Sequence, residues 1–392
     1  KQQGPVVRSD GQGGVFAAWD DYRDGSNSIF FQHISSETGA TLEENGQAVF
    51  KGITGNAGDG VSAYRAESIS MGDGNVLVYW LDLNRSPFQT LTYGIIINSD
   101  YSDADWTNGL PMSLNNIQKN PSVAYLDGTF MLAYNHEGEY NSIYYQMLDE
   151  NLNLLGDETG TLLFQADQWD MRDPKISAGE DGNFYMAYID NRNLWYGFLP
   201  MPAVYLQKFN INGSPQWDDG GILISDIDQE CYLKDIHPFP GGGVIIVWEE
   251  IGAPLEIKAQ AILPDGSIAE GWQENGVNLI SNNGQSGWMQ NTKSVLTETG
   301  LYATWEDSRN NNNDLYGQYI SFSGEILGTI EGIEIVSEDN DQNQPAISYN
   351  SLTNQINSCW SDYRNGTDWN IFCNTLSLND FSINDEMLIS DN

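Results

Sequence analysis

Carboxylates and arginines recur together along this chain at one fixed spacing. Asp21 and Arg23 follow Trp19 by two and four residues, and Asp190/Arg192 follow Tyr188, Asp307/Arg309 follow Trp305 and Asp362/Arg364 follow Trp360 in the same way. Paired carboxylates can hydrolyse glycosidic bonds by acid–base chemistry, and a guanidinium can clamp a carboxylate bidentately. The same residues also have a structural use. The aromatic ring can fill a wedge between packed sheets, the short carboxylate can accept backbone N–H groups in a tight turn, and the arginine can pair with it. An active site needs an asymmetric constellation, so a repeated one is assigned to the scaffold.

Other chemistry is thinly marked. Of three histidines, His33 follows Gln32 in a strand and has no acid at a useful spacing, while His237 reads as a core or turn residue. His136 stands beside Glu137 in a loop where a general base can sit, although a core or turn role is the simpler expectation for it too. No nucleophile elbow, HExxH, phosphate loop or dinucleotide fingerprint is present. With 55 acidic residues, any single carboxylate pair is uninformative. Loops such as Asp100–Asp105, Asp218-Asp219 and Glu338–Asp341 offer oxygen ligands for calcium, without the EF-hand spacing; solvated acidic loops are the alternative. Metal ligands are not assigned. Cys231, Cys359 and Cys373 form neither a zinc pattern nor a disulfide framework. Cys359 and Cys373 flank one hairpin at nearly symmetric positions, where they face each other as a disulfide or as two small buried hydrophobes.

Sixteen Lys and Arg against 55 Asp and Glu give a net charge of −39. Such a chain has no surplus of cations with which to displace counterions from nucleic acid, nor to dock on an anionic membrane. No apolar run is long enough for a membrane-spanning helix. The start at Lys1 without Met suggests a mature or trimmed chain. A monomer is expected.

The elements that position these residues follow from periodicity. Seven aromatic anchors, Trp19, Trp80, Tyr134, Tyr188, Trp248, Trp305 and Trp360, divide 392 residues into units averaging 56. Each unit reads as four short strands, the second ending on the anchor (VFAAW, FMLAY, VIIVW, LYATW). The junction of LISDN with KQQGPVV reproduces the internal junction at residues 335–347, so no terminal cap of an open solenoid is expected. The expected fold is an all-β, seven-bladed β-propeller of four-stranded antiparallel blades. Its single domain, 1–392, has blades at about 1–54, 55–115, 116–164, 165–225, 226–281, 282–337 and 338–392. Blades 3 and 5 carry YNHEG and WEEIG, so Arg–Asp bracing is expected to be absent there.

The stretches GGVFAAWDDYRDGSNSIFFQ, LYATWEDSRNNNNDLYGQYISFSG and NINGSPQWDDGGILIS resemble the WxDxR/DIYxQ-type propeller repeats of secreted or cell-surface bacterial proteins. The resemblance spans nearly the whole chain. It implies a propeller and a secreted or cell-surface location, and leaves activity open. In propellers, ligands sit over the central channel, on the face of the interblade links and the second-to-third strand loops. On that face blade 4 departs most from the repeat: 19 residues separate Tyr188 from Gln207, against 13 between Trp19 and Gln32. The excess carries Trp195, Tyr196 and Phe198, and Trp169 and Trp288 occupy links of the same class. These five aromatics are the candidate ligand-binding residues, with a polysaccharide or another extracellular protein domain as partner. Two functions fit: a non-catalytic extracellular binding module recognising carbohydrate, which is preferred, or a carbohydrate-active enzyme, either a glycoside hydrolase or a polysaccharide lyase, with its site at the channel mouth.

Overall fold

A computed structural model describes residues 2–10, 14–23, 25–35, 38–40, 42, 45–52, 61–72, 74–85, 88–98, 109–115, 117–164, 169–192, 201–252, 254–281 and 287–390. Seven antiparallel sheets, each built from consecutive strands, make the blades of a seven-bladed β-propeller. Blade 1 runs Gln2–Ser9, Val15–Asp21, Ser28–Ser35, with its outer strand split into Gly39–Ala40 and Gln47–Phe50. Blade 2 is Val61–Ser70, Val76–Arg85, Phe88–Ile97, Leu110–Pro111. Blade 3 is Gln118–Leu126, Thr129–His136, Ser142–Asp149, with Leu154–Leu155 and Thr161–Leu162 sharing the outer position. Blade 4 is Met171–Ala178, Phe184–Asp190, Ala203–Phe209, Ile222–Leu223, and blade 5 is Glu230–Pro238, Val244–Ile251, Glu256–Ile262, Val277–Ser281. Blades 6 and 7 are Met289–Leu296, Gly300–Asp307, Asp314–Ser321, Ile333–Val336 and Gln342–Asn350, Gln355–Asp362, Asn370–Ser377, Met387–Ser390. Two compact units divide the chain: residues 1–176 with 209–219, and 177–208 with 220–392. Among the described residues no helix is long and apolar enough to cross a membrane.

The second strands form the core. Phe184–Asp190 and Gly300–Asp307 are buried at every position, because both faces of such a strand are covered and the usual alternation is lost. Each carries an anchor ring two residues before its end. Trp80, Tyr134, Tyr188, Trp248, Trp305 and Trp360 are at most 1% exposed; burying one such ring contributes about 4–6 kcal/mol. The approach to the fourth strand is pinned to that ring. Gly276, at φ 88°, lies so close to the Trp248 indole that a Cβ would meet it at 2.5 Å, and only glycine combines that conformation with that approach.

The first strands carry a bulge that the preceding blade completes. Arg65, Asp173 and Gln344 sit there at φ 59°, 56° and 57°, a conformation that is costly for residues with a Cβ. In each case the residue after the preceding anchor accepts the bulge's N–H. Asp20 takes Arg65 N (3.1 Å) and Ala66 N (3.1 Å), Asn135 takes Asp173 N (3.0 Å), and Glu306 takes Gln344 N (2.7 Å). Glu249 holds Thr292 by both its N (3.1 Å) and Oγ1 (2.8 Å), beside Asn291 at φ 55°. Burial pushes the Asp20 carboxyl up, and these N–H groups work against that shift. After Ile189, which is apolar, the following first strand (Glu230–Pro238) shows no positive φ, whereas after Leu81, also apolar, Asn120 in the next first strand keeps φ 48°.

Candidate functional site

The recurring Asp and Arg make one composite brace. In blade 7, Asp362 accepts the Trp360 indole N–H (2.8 Å), the Arg364 backbone N–H (2.8 Å) and Arg364 Nη2 (2.6 Å), while the guanidinium lies 4.1 Å over the Phe372 ring. Burial opposes the charged Asp362, but these donors prevail and hold its carboxyl below the usual range. Blade 1 repeats the arrangement with Trp19, Asp21, Arg23 and Phe30, and blade 6 with Trp305, Asp307, Arg309 and Tyr316. Blade 4 does so with Asp190, Arg192 and Tyr205. Arg23, Arg192 and Arg309 each also donate to a carbonyl ahead of the fourth strand, on Asn45, Gly220 and Glu331. These groups are saturated by one another, which suits a scaffold role.

Blade 5 has no Arg–Asp pair, as its sequence leads one to expect, and is braced by another route. Glu250 accepts the Trp248 indole (3.3 Å) and pairs with Lys258 Nζ at 2.9 Å. Lys258 lies directly across the strand pair from Trp248, the place held in other blades by the stacking ring. The charge has moved from the loop to the neighbouring strand.

Blades 2 and 3 depart from the brace, and both belong to the first unit. In blade 2 the arginine falls one residue later, at Arg85, inside a strand that continues through it. The Trp80 indole N–H is buried without a partner, and no hydrogen bond reaches Asp82 from the described residues. Burial pushes the Asp82 carboxyl up to about 6. In blade 3 the carboxylate itself is replaced: His136 occupies the position of Asp21, and Gly138 that of Arg23. The Tyr134–Tyr144 stack remains (6.2 Å between centroids), and the imidazole tilts against the Tyr144 ring at 5.4 Å. Burial lowers the His136 pKa below the ordinary imidazole value, which favours the neutral ring, the form that can accept a proton.

Around His136 the inner strands of the first unit carry a continuous polar chain. Arg65 Nη1 donates to Asn120 Oδ1 (2.5 Å), Asn120 Nδ2 to Asp173 Oδ1 (2.6 Å), and Arg172 Nη1 to Asp173 Oδ2 (2.8 Å). Asn135, adjacent to His136, holds the Asp173 backbone, and Lys119, register partner of Asn135, pairs with Glu137 at 2.7 Å. In a chain with 16 cations and a net charge of −39, three of them, Arg65, Lys119 and Arg172, gather at one end of adjacent inner strands. That clustering was not legible beforehand; the signal was the side chain carried at each bulge.

Of the five aromatic candidates, Trp169 and Trp288 lie among the described residues. Trp169 is half-buried in the link before blade 4, its indole N–H without a partner. Its neighbour Asp170 accepts Asn141 N (2.7 Å) from the blade 3 loop, placing the link beside that loop. Trp288 lies in the second unit and is 64% exposed. Trp195, Tyr196 and Phe198 lie outside the described residues. His33 pairs with Asp10 (2.9 Å), and His237 contacts Ser294 (2.8 Å) and Asp235 (3.3 Å) through the same Nε2, so it lacks the two-sided geometry of a catalytic triad. Among the described residues no three His, Cys, Asp or Glu side chains converge as a metal site. Cys359 and Cys373 face each other across the second and third strands of blade 7 and are disulfide-bonded, while Cys231 is free and buried.

No known family profile matches the chain, and no curated protein matches it in sequence. Solved structures do. An ulvan lyase of polysaccharide lyase family PL25 is similar at 11% identity over 97% of this chain and 94% of that one, with a TM-score of 0.55. The lyase is shared as a fold. A second structure, described as a PL25 ulvan lyase bound to -[GlcA(1-4)Rha3S]-, matches at 12% identity, 96% and 94% coverage and a TM-score of 0.54. The GH93 α-L-arabinofuranosidase of Fusarium graminearum with arabinobiose gives 14%, 81% and 92%, and 0.49.

Proposed function

We propose that this protein is a carbohydrate-active enzyme, a polysaccharide lyase cleaving uronate-containing chains in the first unit, with His136 as base. The enzyme reading replaces the non-catalytic module preferred from sequence. One observation carries it: blade 3 alone places an imidazole where the other six blades have a carboxylate, and burial favours the neutral form of that imidazole. The propeller fold shared with a polysaccharide lyase supports the class by analogy.

In β-elimination a base removes the proton on the carbon next to the uronate carboxylate. The C–H electrons form the C4=C5 double bond, the C4–O bond breaks, and the leaving oxygen takes a proton. His136 is the base, and the Tyr144 hydroxyl, on the ring packed against it, is the proton donor. Arg65 and Arg172, oriented through Asn120 and Asp173, and Lys119 draw charge from the substrate carboxylate, so that the carbanionic transition state is stabilised. The Cys359–Cys373 disulfide supports work outside the cytosol. A hydrolase reading is favoured by Asp82, whose carboxyl at about 6 suits a general acid.

The test is a panel of soluble uronate polymers (polygalacturonate, alginate, glucuronan, ulvan) read by ultraviolet absorbance and by reducing ends. Both signals should rise together, and His136→Asn should lower kcat about 10²–10⁴-fold. Reducing ends without ultraviolet absorbance would establish the hydrolase, and neither signal on any polymer would overturn the enzyme reading.

A further inference from the structure

The second unit carries two exposed indoles that its own packing leaves outside. Trp288, 64% exposed, precedes the first strand of blade 6; Trp369, 41% exposed, precedes the third strand of blade 7. Strand register puts them at the same end of their blades: Met289 pairs with Asp307, and Asn370 with Asp362. Trp288 is held through its backbone and Trp369 through its ring. Trp288 N donates to Ser308 Oγ (2.7 Å), and Ser308 N returns a bond to the Trp288 carbonyl (3.0 Å). The Trp369 ring is tilted against Tyr363 at 5.0 Å, and Tyr363 N is bonded to Asp341 O (2.9 Å).

The loops between the two indoles are joined into a belt. Asn312 Nδ2 of blade 6 reaches Asn340 O in the link to blade 7 (2.5 Å), and Asn340 Nδ2 reaches the Arg364 carbonyl (3.3 Å). A large apolar ring held in water on a fixed backbone costs little entropy when a ligand covers it, so it is a preorganised contact. The charges along the belt select the ligand. Its two cations, Arg309 and Arg364, are taken up by Asp307 and Asp362 and by the rings below them. What remains exposed is acidic, at Glu338, Asp339 and Asp368. An anionic chain would be repelled, and nothing on the belt would pair with it.

We infer that this belt is a glycan-holding surface for uncharged sugars, Trp288 and Trp369 stacking on the apolar C–H faces of a neutral polysaccharide. The surface is independent of the chemistry assigned to blade 3, and its test is binding alone. Affinity electrophoresis in gels containing arabinan, xylan, mixed-linkage β-glucan or polygalacturonate separates the cases, the first three having no uronate backbone to eliminate. Retardation is expected in at least one neutral gel, with Trp288→Ala and Trp369→Ala each weakening it about 3- to 10-fold. Both variants should keep the wild-type melting temperature, because the rings are exposed. Leu352→Ala, at an 89% exposed position in the turn at the other end of blade 7, should bind as wild type. No retardation in any neutral gel, retardation unchanged in the double Trp variant, or equal loss in Leu352→Ala would each overturn the inference. Binding only to polygalacturonate would overturn the choice of uncharged sugars. Each of these outcomes can occur whether or not His136 proves catalytic.

Discussion

Blade 7 and blade 3 are built from the same parts and spend them differently. In blade 7 an indole, a carboxylate, a guanidinium and a phenyl ring bind one another, and the remaining guanidinium nitrogen pairs with Glu386. Blade 3 keeps the stacked ring pair, but the two residues that would close the set are His136 and Gly138. Where the brace is complete, the carboxylate and the guanidinium bond to each other, and the position contributes stability. Where it is broken, a basic nitrogen is left beside a phenol and a cluster of cations. The difference teaches that in a repeat protein the informative positions are those where the repeat's own bonds are missing.

The sharpest way to break this comparison is to rebuild the brace. The double variant His136→Asp, Gly138→Arg should abolish elimination, a loss of about 10²–10⁴-fold in kcat, while raising the midpoint of urea unfolding. Activity that survives would remove His136 from the chemistry. In wild type, the acid limb of kcat/KM should fall below pH 6.5, the ordinary imidazole value, because burial lowers the His136 pKa.

The reverse experiment opens a closed blade. Arg309→Ala leaves Asp307, 2% exposed, as a buried carboxylate without its guanidinium. Breaking a buried pair on one side costs about 3–5 kcal/mol, and the 22% exposed arginine side chain brings the expectation to about 2–3 kcal/mol. Lys258→Met in blade 5 should behave alike, since Lys258 does there what the arginines do elsewhere. If denaturant melts show a change under 1 kcal/mol in both, the brace is ornamental.

The effect in blade 2 is conditional, because it depends on pH. The Asp82 carboxyl has a pKa of about 6 in the folded protein against 3.8 as a free side chain. The unfolded chain therefore loses this proton first as pH rises. Stability tied to the protonated form is complete below about pH 3.8 and is lost as pH climbs through 6. Asp82→Asn should thus be more stable than wild type by up to about 2–3 kcal/mol above pH 6, with the gap closing towards pH 4. A gap that does not vary with pH would mean the carboxylate is paired after all.

Much of the fold was legible, and for a definite reason. The anchors and the Asp–Arg pairs lie within five residues of one another, so local spacing carries the brace of blades 1, 4, 6 and 7. Lys258 was not legible, because its partner Glu250 is reached across a hairpin rather than along a loop. The caps made by Asp20, Asn135, Glu249 and Glu306 were hidden for a related reason. Each acts on a strand some 40 residues further on, and its purpose depends on a backbone angle that no residue type announces. His136 was noticed as a base, but its place in the repeat was not. The clustering of Arg65, Lys119 and Arg172 needs three blades to be set side by side.

Those caps also have a direction. In every case the acceptor stands on the earlier blade and the captured N–H on the later one. A ribosome therefore delivers the receptor before the segment it receives, and at these four joints the finished blade presents a template for the first strand of the next. Growth from the amino end meets a prepared surface at these joints, whereas assembly in the opposite order would have to hold Arg65, Asp173, Asn291 and Gln344 in their unfavourable conformation with nothing yet to reward it.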